Sequence, residues 1–184
     1  MSGPSSIEWT DATWNPVRGC SRVSPGCENC YAERVAARFS GPGQPFEGFA
    51  YRDDSGHGSA QPRWTRRVEL QRALLDVPLR WRAPRRIFVN SMSDLFHEGL
   101  AVQDIADVFG VMAAAGQHTF QVLTKRASRM RALKRADALR GSFVAAVNDE
   151  WARAYARARS RPATSRWPGW PLPNVWLGVS VEDQ

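Results

Sequence analysis

The chain has 184 residues, of which 43% are hydrophobic and 10% aromatic, so it is long and apolar enough for one ordinary globular domain. Its N-terminus has no basic segment followed by an apolar run, and no apolar stretch reaches membrane-spanning length. This pattern excludes a signal peptide and a membrane span and predicts a cytoplasmic protein with no membrane partner. The net charge of +7 suits an anionic partner such as nucleic acid, although an arginine-rich codon bias would produce it equally well.

The first predicted element is a cysteine-containing loop. All three cysteines lie in residues 15–34, NPVRGCSRVSPGCENCYAER, with the spacing C-x6-C-x2-C. In a reducing cytosol, clustered thiols are more often metal ligands or redox groups than disulfides, and an odd number cannot all pair. Directly after the loop, Tyr31, Val35 and Phe39 recur at helical spacing, so residues 30–40 are predicted to form an amphipathic helix that starts at the last cysteine.

Segment 41–64 is dense in glycine, proline, serine and aspartate, and it is predicted to be a long irregular excursion. Strands and helices then alternate. The predicted elements are a strand at 85–93, a helix at 102–116, a strand at 118–125, a basic helix at 126–140, a further helix after a break at Gly141 with Ser142 as its N-cap, and a strand at 174–182. The proline- and tryptophan-rich segment 161–173 is predicted to connect the last helix to the last strand.

This alternation predicts an α/β fold of parallel β/α units, in which ligands bind at the carboxyl ends of the strands. Each predicted strand carries polar residues at its carboxyl end, namely Ser91, Ser93 and Asp94 for the first, Thr124 and Lys125 for the second, and Ser180 and Glu182 for the last. Asp94 suits a site role or a cap of the following turn. Lys125 is one of two lysines in an arginine-rich chain, so it is either a required compact ammonium group or a solvated lysine that begins a basic helix.

Some charged and aromatic residues are best explained structurally. Glu33 lies in the first turn of its helix, where a carboxylate interacts favourably with the helix dipole. Arg18 is a candidate partner for this carboxylate or for the negative charge of a cluster held by the cysteines. The helix at 126–140 is interpreted as a solvated outer helix with Met130 and Leu133 facing inward. Five tryptophans beside basic or proline-rich segments are interpreted as core anchors rather than as a platform for stacking bases, namely Trp14, Trp64, Trp81, Trp167 and Trp170.

Two kinds of metal site suit the cysteine triplet. A structural zinc site needs four ligands, so a histidine would have to complete it, and the candidates are His57, His97 and His118. An iron-sulfur cubane is normally held by four cysteines, so three would leave one iron open to an external molecule, as in a catalytic zinc site that keeps one position open.

The residues also resemble a known family. Asn15-Pro16, Arg18-Gly19-Cys20 and Cys30-Tyr31-Ala32 are similar to landmarks of the branch of the radical S-adenosylmethionine (SAM) superfamily that is related to spore photoproduct lyase. Five segments in consistent order resemble a phage-associated family assigned to that superfamily, namely TWNPVRGC, CENCYAER, FVNSMSDLFHE, FQVLTKR and NVWLGVSVE.

The resemblance implies a 4Fe-4S cluster on Cys20, Cys27 and Cys30, with SAM bound at the iron that the protein leaves open. It implies that the cofactor-binding residues are Tyr31, Ser91, Ser93, Asp94, Lys125 and Ser180, with Lys125 as a partner for the methionyl carboxylate. After reduction by an external electron donor, SAM would be cleaved to a 5′-deoxyadenosyl radical that acts on an unidentified substrate. Kinship with a DNA-repair lyase and the positive charge suggest nucleic acid as that substrate.

Two features depart from the family pattern. The common spacing is C-x3-C-x2-C with an aromatic residue before the last cysteine, whereas this chain has a longer first gap and Asn29 at that place. Pro25-Gly26 permits a tight turn within the longer loop. The chain also ends after about the fourth strand of a partial parallel (β/α) barrel, so residues 1–184 are expected to be a single, incomplete radical SAM-like domain. The alternative is a zinc-stabilised nucleic-acid-binding module without catalysis.

Overall fold

The computed structural model describes residues 3–55, 59–135, 137–158 and 166–180, and it shows a mixed α/β fold. The strands are β1 (Gly3–Pro4), β2 (Ala12–Trp14), β3 (Val17–Arg18), β4 (Ala50–Asp53), β5 (Gln61–Trp64), β6 (Glu69–Leu70), β7 (Arg86–Val89), β8 (Thr119–Thr124) and β9 (Val175–Val179). The helices are α1 (Tyr31–Arg38), α2 (Val102–Ala114), α3 (Ala127–Arg135) and α4 (Asp137–Arg157).

The main sheet has five strands in the order β1-β2-β7-β8-β9. Its last four strands are parallel and follow one another in chain order, while β1 pairs with β2 in antiparallel fashion. The predicted alternation of strand and helix is confirmed for β7, α2, β8 and β9. Strand β2 lies in the N-terminal segment, where the sequence analysis named no strand.

Helices α2 and α4 pack on one face of this sheet and form the main core. The sheet contributes Ile87 and Phe120, both fully buried, and α2 is buried over almost its whole length. Gly110 permits the close approach of the two helices, because a Cβ atom there would lie 2.6 Å from the Cβ of Glu150 on α4. Aromatic residues complete the core, and Trp14, Trp64, Trp81, Trp167 and Trp170 are buried or partly buried against the apolar clusters, as predicted.

The prediction of an irregular excursion at 41–64 is wrong in part. Strands β4 and β5 form an antiparallel hairpin there. Phe46, Phe49 and Trp64 are buried against α1 and form a second apolar cluster. The glycines and prolines of the segment serve as turns, whereas its few aromatic residues supply enough apolar surface for a small core of its own.

Helix α1 is present as predicted but buries a different face. Tyr31 is 51% exposed and Phe39 is 37% exposed, whereas Ala32, Glu33 and Ala36 are buried. The small residues allow the hairpin to approach α1 closely. The apolar stripe identified at spacing four is therefore not the packed face of this helix.

The predicted helix break at Gly141 is also wrong. Helix α3 ends at Arg135 and α4 begins at Asp137, so Gly141 lies inside α4 and Ser142 is not its N-cap. A glycine inside a helix costs about 1 kcal/mol relative to alanine, and the packing of α4 against α2 offsets that cost. Met130 and Leu133 of α3 are buried, as predicted.

The predicted connection at 161–173 is only partly described. Residues 166–173 are irregular, as predicted, while residues 161–165 lie outside the described residues. Strand β9 is shorter than the predicted strand at 174–182, whose last two residues, including Glu182, also lie outside them. Among the described helices, none has an apolar stretch of the length that a bilayer requires.

Candidate iron-sulfur and cofactor site

A cavity of about 210 Å³ lies at the carboxyl ends of the parallel strands, next to the N-terminus of α1. The structure brings together all of the residues that the family resemblance assigns to the cluster and the cofactor, whereas Glu182 lies outside the described residues. Those that line the cavity are Cys20, Cys27, Cys30, Tyr31, Ser91, Ser93, Asp94, Lys125 and Ser180.

The first cysteine is placed by a close approach of two backbone segments. Gly19 has a φ of 84°, and a Cβ atom there would lie 1.9 Å from the carbonyl oxygen of Arg67. Only glycine fits this position, because any side chain would both clash with the backbone and require a left-handed conformation. Gly19 therefore directs Cys20 towards the cavity.

The other two cysteines lie one turn apart at the start of α1. Cys27 ends a short 3-10 turn that begins at Pro25, and its carbonyl accepts the N–H of Cys30 at 3.3 Å. Cys30 is the N-cap residue of α1. All three thiols are free, and all three line one cavity.

The three thiols are soft donors, which suit an iron-sulfur cluster and a zinc ion alike. In the described part of the chain, no group of three or more His, Cys, Asp or Glu side chains is arranged to hold one ion. Burial raises the pKa of the Cys20 thiol to about 11, while the Arg126 guanidinium acts in the opposite direction. Metal binding would displace this proton, since a coordinating thiol is deprotonated.

The histidines expected for a zinc site have other partners. His97 accepts the N–H of Gly99 at Nδ1 and donates from Nε2 to the Ser21 hydroxyl at 2.7 Å. His118 is buried elsewhere, with Nε2 3.1 Å from the carbonyl oxygen of Pro78. His57 lies outside the described residues.

The serines after β7 are held by the N-terminal segment. The Asn15 side-chain oxygen accepts hydrogen bonds from the Ser91 hydroxyl and the Met92 N–H, each at 3.1 Å. Ser93 donates to the carbonyl of Val17 at 3.1 Å. The hydroxyl of Tyr31 donates to the carbonyl of Ser91. The strand end and the cysteine loop therefore share one rigid set of hydrogen bonds.

Asp94 lines the cavity, but both oxygens of its carboxylate accept hydrogen bonds from other parts of the protein. One oxygen accepts the N–H of Phe96 at 2.9 Å and the hydroxyl of Thr124 at 2.7 Å. The other oxygen accepts the N–H of Lys125 and the Nη1–H of Arg126, each at 3.1 Å. The turn-capping role proposed for Asp94 is confirmed, and this residue positions the end of β8.

Asn90 is a site residue that the sequence analysis missed. It follows β7 directly, lines the cavity, and has a φ of 57°. Its side-chain nitrogen and oxygen are both buried and have no hydrogen-bond partner in the described structure. A buried amide without partners is costly, so this one suits a ligand with both an acceptor and a donor. In the sequence, the one feature that could have identified Asn90 as a site residue is its place near the carboxyl end of the strand predicted at 85–93.

The partner of Glu33 was also misjudged from the sequence. Glu33 is 1% exposed, and it pairs with Arg22 at 2.7 Å rather than with Arg18. Its second oxygen accepts the N–H of Trp64 at 3.0 Å. This one carboxylate therefore joins the cysteine loop, α1 and the hairpin, a contact between segments that helix-dipole reasoning could not reveal.

We expect Glu33→Ala to lower the free energy of unfolding by about 2–4 kcal/mol, because it leaves a buried N–H and an arginine without their partner. Urea denaturation followed by circular dichroism measures this change. Glu28→Ala is the control, since Glu28 is exposed on the same loop. Equal stability of the two variants would contradict the role given to Glu33.

A family model described as Protein of unknown function (DUF5131) matches residues 4–184. Neither a curated protein nor a solved structure matches the chain. The family match covers nearly the whole chain, including every residue that lines the cavity.

Proposed function

The chain belongs to the family described as Protein of unknown function (DUF5131), and we propose that it is a radical SAM-type iron-sulfur protein. The observation that carries this proposal is the convergence of Cys20, Cys27 and Cys30 on one cavity at the carboxyl ends of parallel strands. Catalysis at this edge is the rule for parallel β/α folds.

The sheet supports a partial (β/α) barrel as the finer fold. Strands β2, β7, β8 and β9 are neighbours in chain order and all parallel. A doubly wound sheet reverses its strand order at a switch point, whereas a barrel adds each strand beside the last. Helices α2 and α4 pack on one face of the sheet, as the outer helices of a barrel do.

In this proposal, the three thiols hold a 4Fe-4S cluster and leave one iron for SAM. Such a cluster, when bound and reduced by an external donor, would supply the single electron for reductive cleavage of SAM to methionine and a 5′-deoxyadenosyl radical. The chain's own residues bind and orient. Lys125 provides a positive charge for the methionyl carboxylate, while Ser91 and Ser180 provide hydroxyl groups at the cavity wall.

The substrate class is a separate proposal. The net charge of +7 favours an anionic substrate such as nucleic acid. Binding to DNA that weakens steeply as salt rises would support phosphate contacts, and an absence of binding at low salt would remove this proposal.

Metal analysis after anaerobic reconstitution tests the proposed function. We expect about four irons per chain, almost no zinc, and 5′-deoxyadenosine when SAM and a reductant are added. The zinc-stabilised nucleic-acid-binding module predicts one zinc with a histidine ligand instead. Under that alternative, changing His57, His97 or His118 in turn would release the metal, and this result would overturn the proposed function.

The orphaned amide of Asn90 gives a further prediction. We expect Asn90→Leu to weaken SAM binding to the reconstituted protein about tenfold, because one or two hydrogen bonds to the ligand are lost. The stability of the ligand-free protein should fall by no more than about 1–2 kcal/mol, the cost of leucine at the positive φ of this position, since the amide has no protein partner to lose. Equilibrium dialysis and thermal denaturation measure the two effects.

Asn29→Leu is the matched control, because Asn29 is exposed and does not line the cavity. Unchanged SAM affinity in Asn90→Leu would contradict a ligand-binding role for Asn90. A large loss of stability would indicate a structural role.

A further inference from the structure

We propose that Arg126 is a positioning residue that fixes Cys20 against the sheet and raises the reduction potential of the cluster. This inference rests on the proposed function, because it concerns the same three thiols. In sequence, Arg126 is the first residue of a basic segment interpreted as a solvated helix. In the structure it is 4% exposed and lines the cavity.

The guanidinium of Arg126 is held from three sides. Its Nη2 donates to the carbonyl and the hydroxyl of Ser21, each at 3.0 Å. Its Nη1 donates to Asp94 at 3.1 Å, and its Nε donates to Glu98 at 2.8 Å. This one side chain therefore joins three segments, namely the loop around Cys20, the loop after β7 and the end of β8.

The same guanidinium also contacts a predicted cluster ligand. Nη1 of Arg126 lies 3.9 Å from Sγ of Cys20, within the range of a weak N–H···S hydrogen bond. Cys27 and Cys30 are fixed by their own helical turn. Cys20 is seven residues earlier and lacks such a turn, so contacts from elsewhere in the fold must hold it. Arg126 supplies these contacts, and Gly19 supplies the backbone path.

The charge of Arg126 acts on the redox chemistry of the site. Adding an electron makes a cluster more negative, so a nearby buried positive charge favours the reduced form. Two carboxylates face the same guanidinium. Asp94 is buried, whereas the Glu98 side chain is 64% exposed and therefore more strongly screened by solvent. Removing Arg126 takes a positive charge from the site while the negative charge of Asp94 remains, and this change favours the oxidised form.

A substitution of the other member of the Arg126–Asp94 ion pair shifts the reduction potential in the opposite direction. Asp94→Asn removes the buried negative charge that faces Arg126. The guanidinium is then less compensated, and the reduced cluster is favoured. The two substitutions therefore predict potential shifts of opposite sign, which a merely structural role would not produce.

The experiment is a redox titration of the reconstituted full chain, followed by electron paramagnetic resonance. For Arg126→Gln, we expect at least a tenfold lower ratio of reduced to oxidised cluster at a fixed potential, which corresponds to a shift of about −59 mV for one electron. For Asp94→Asn, we expect a shift to higher potential. Arg129→Gln is the control, because Arg129 donates to the carbonyls of His97 and Leu100 and does not line the cavity.

The outcomes separate this inference from the proposed function. If the wild-type chain takes up no cluster, the proposed function fails and this inference fails with it. If the wild type holds a cluster but both variants keep its potential, only the role of Arg126 is wrong. A further possible result is that Arg126→Gln and Asp94→Asn both lose the cluster while Arg129→Gln keeps it. That result would also overturn the inference, because Arg126 and Asp94 would then serve the assembly of the cluster and not its reduction potential.

Discussion

Cys30→Ser is expected to abolish the iron-sulfur cluster of the reconstituted protein, reducing its iron content to less than about one per chain. The chain has three cysteines, so none is spare for a cluster that already leaves one iron open. Serine has a similar size but is a much poorer ligand for iron-sulfur clusters, which soft thiolates favour. Iron and acid-labile sulfide per chain measure the effect, and visible absorption gives an independent readout.

Cys20→Ser and Cys27→Ser should behave in the same way, because all three thiols line the cavity. Ser24→Ala is the matched control. Its hydroxyl lies 3.7 Å from Sγ of Cys27, so it changes the surroundings of a thiol without removing one. Full iron content in any cysteine variant would show that its thiol is not a cluster ligand.

Gly19→Ala is expected to destabilise the protein by about 3–5 kcal/mol, since it combines backbone strain with a hard clash. The added Cβ atom would lie 1.9 Å from the carbonyl oxygen of Arg67 and 2.9 Å from the ring of Phe49. The backbone must shift to relieve this overlap, and Cys20 shifts with it. Cluster uptake should therefore fall together with the free energy of unfolding measured in urea.

Gly43→Ala is the control that separates the cost of backbone strain from the cost of the steric clash. Gly43 has a φ of 72°, but a Cβ atom there would meet nothing within 4 Å. This control should cost only about 1–2 kcal/mol, the conformational part of the effect. If both variants lose the same stability, the close approach at Gly19 does not constrain the cysteine loop.

Strong local patterns predicted much of the fold. The apolar run before Asn90 and the helical spacing after residue 102 identified β7 and α2, and both were confirmed. Strand β2 was not predicted because only three of its residues pair with β7, and its neighbours in the sheet supply most of its stability. The hairpin was not predicted because β4 and β5 are short and rich in polar residues, and two of the aromatic residues that stabilise it, Phe46 and Phe49, lie outside the strands.

The sequence could predict which residues form the site, but it could not predict the hydrogen bonds and ion pairs that connect them. Polar residues after each strand were enough to place Ser91, Lys125 and Ser180 at one edge, since parallel strands present their carboxyl ends together. The roles of Arg126 and Glu33 depend on contacts between segments distant in sequence. No periodicity encodes such contacts, and a buried arginine in a basic segment resembles its solvated neighbours.

The open iron is the central claim, and the hyperfine spectrum of the reduced cluster tests it most directly. SAM carrying magnetic isotopes in its methionyl amino and carboxylate groups is added to the reduced, reconstituted chain. We expect hyperfine coupling between the cluster and these labels, because SAM occupies the iron that lacks a cysteine. A spectrum that is identical with and without labelled SAM, recorded on protein with a full complement of iron, would contradict it.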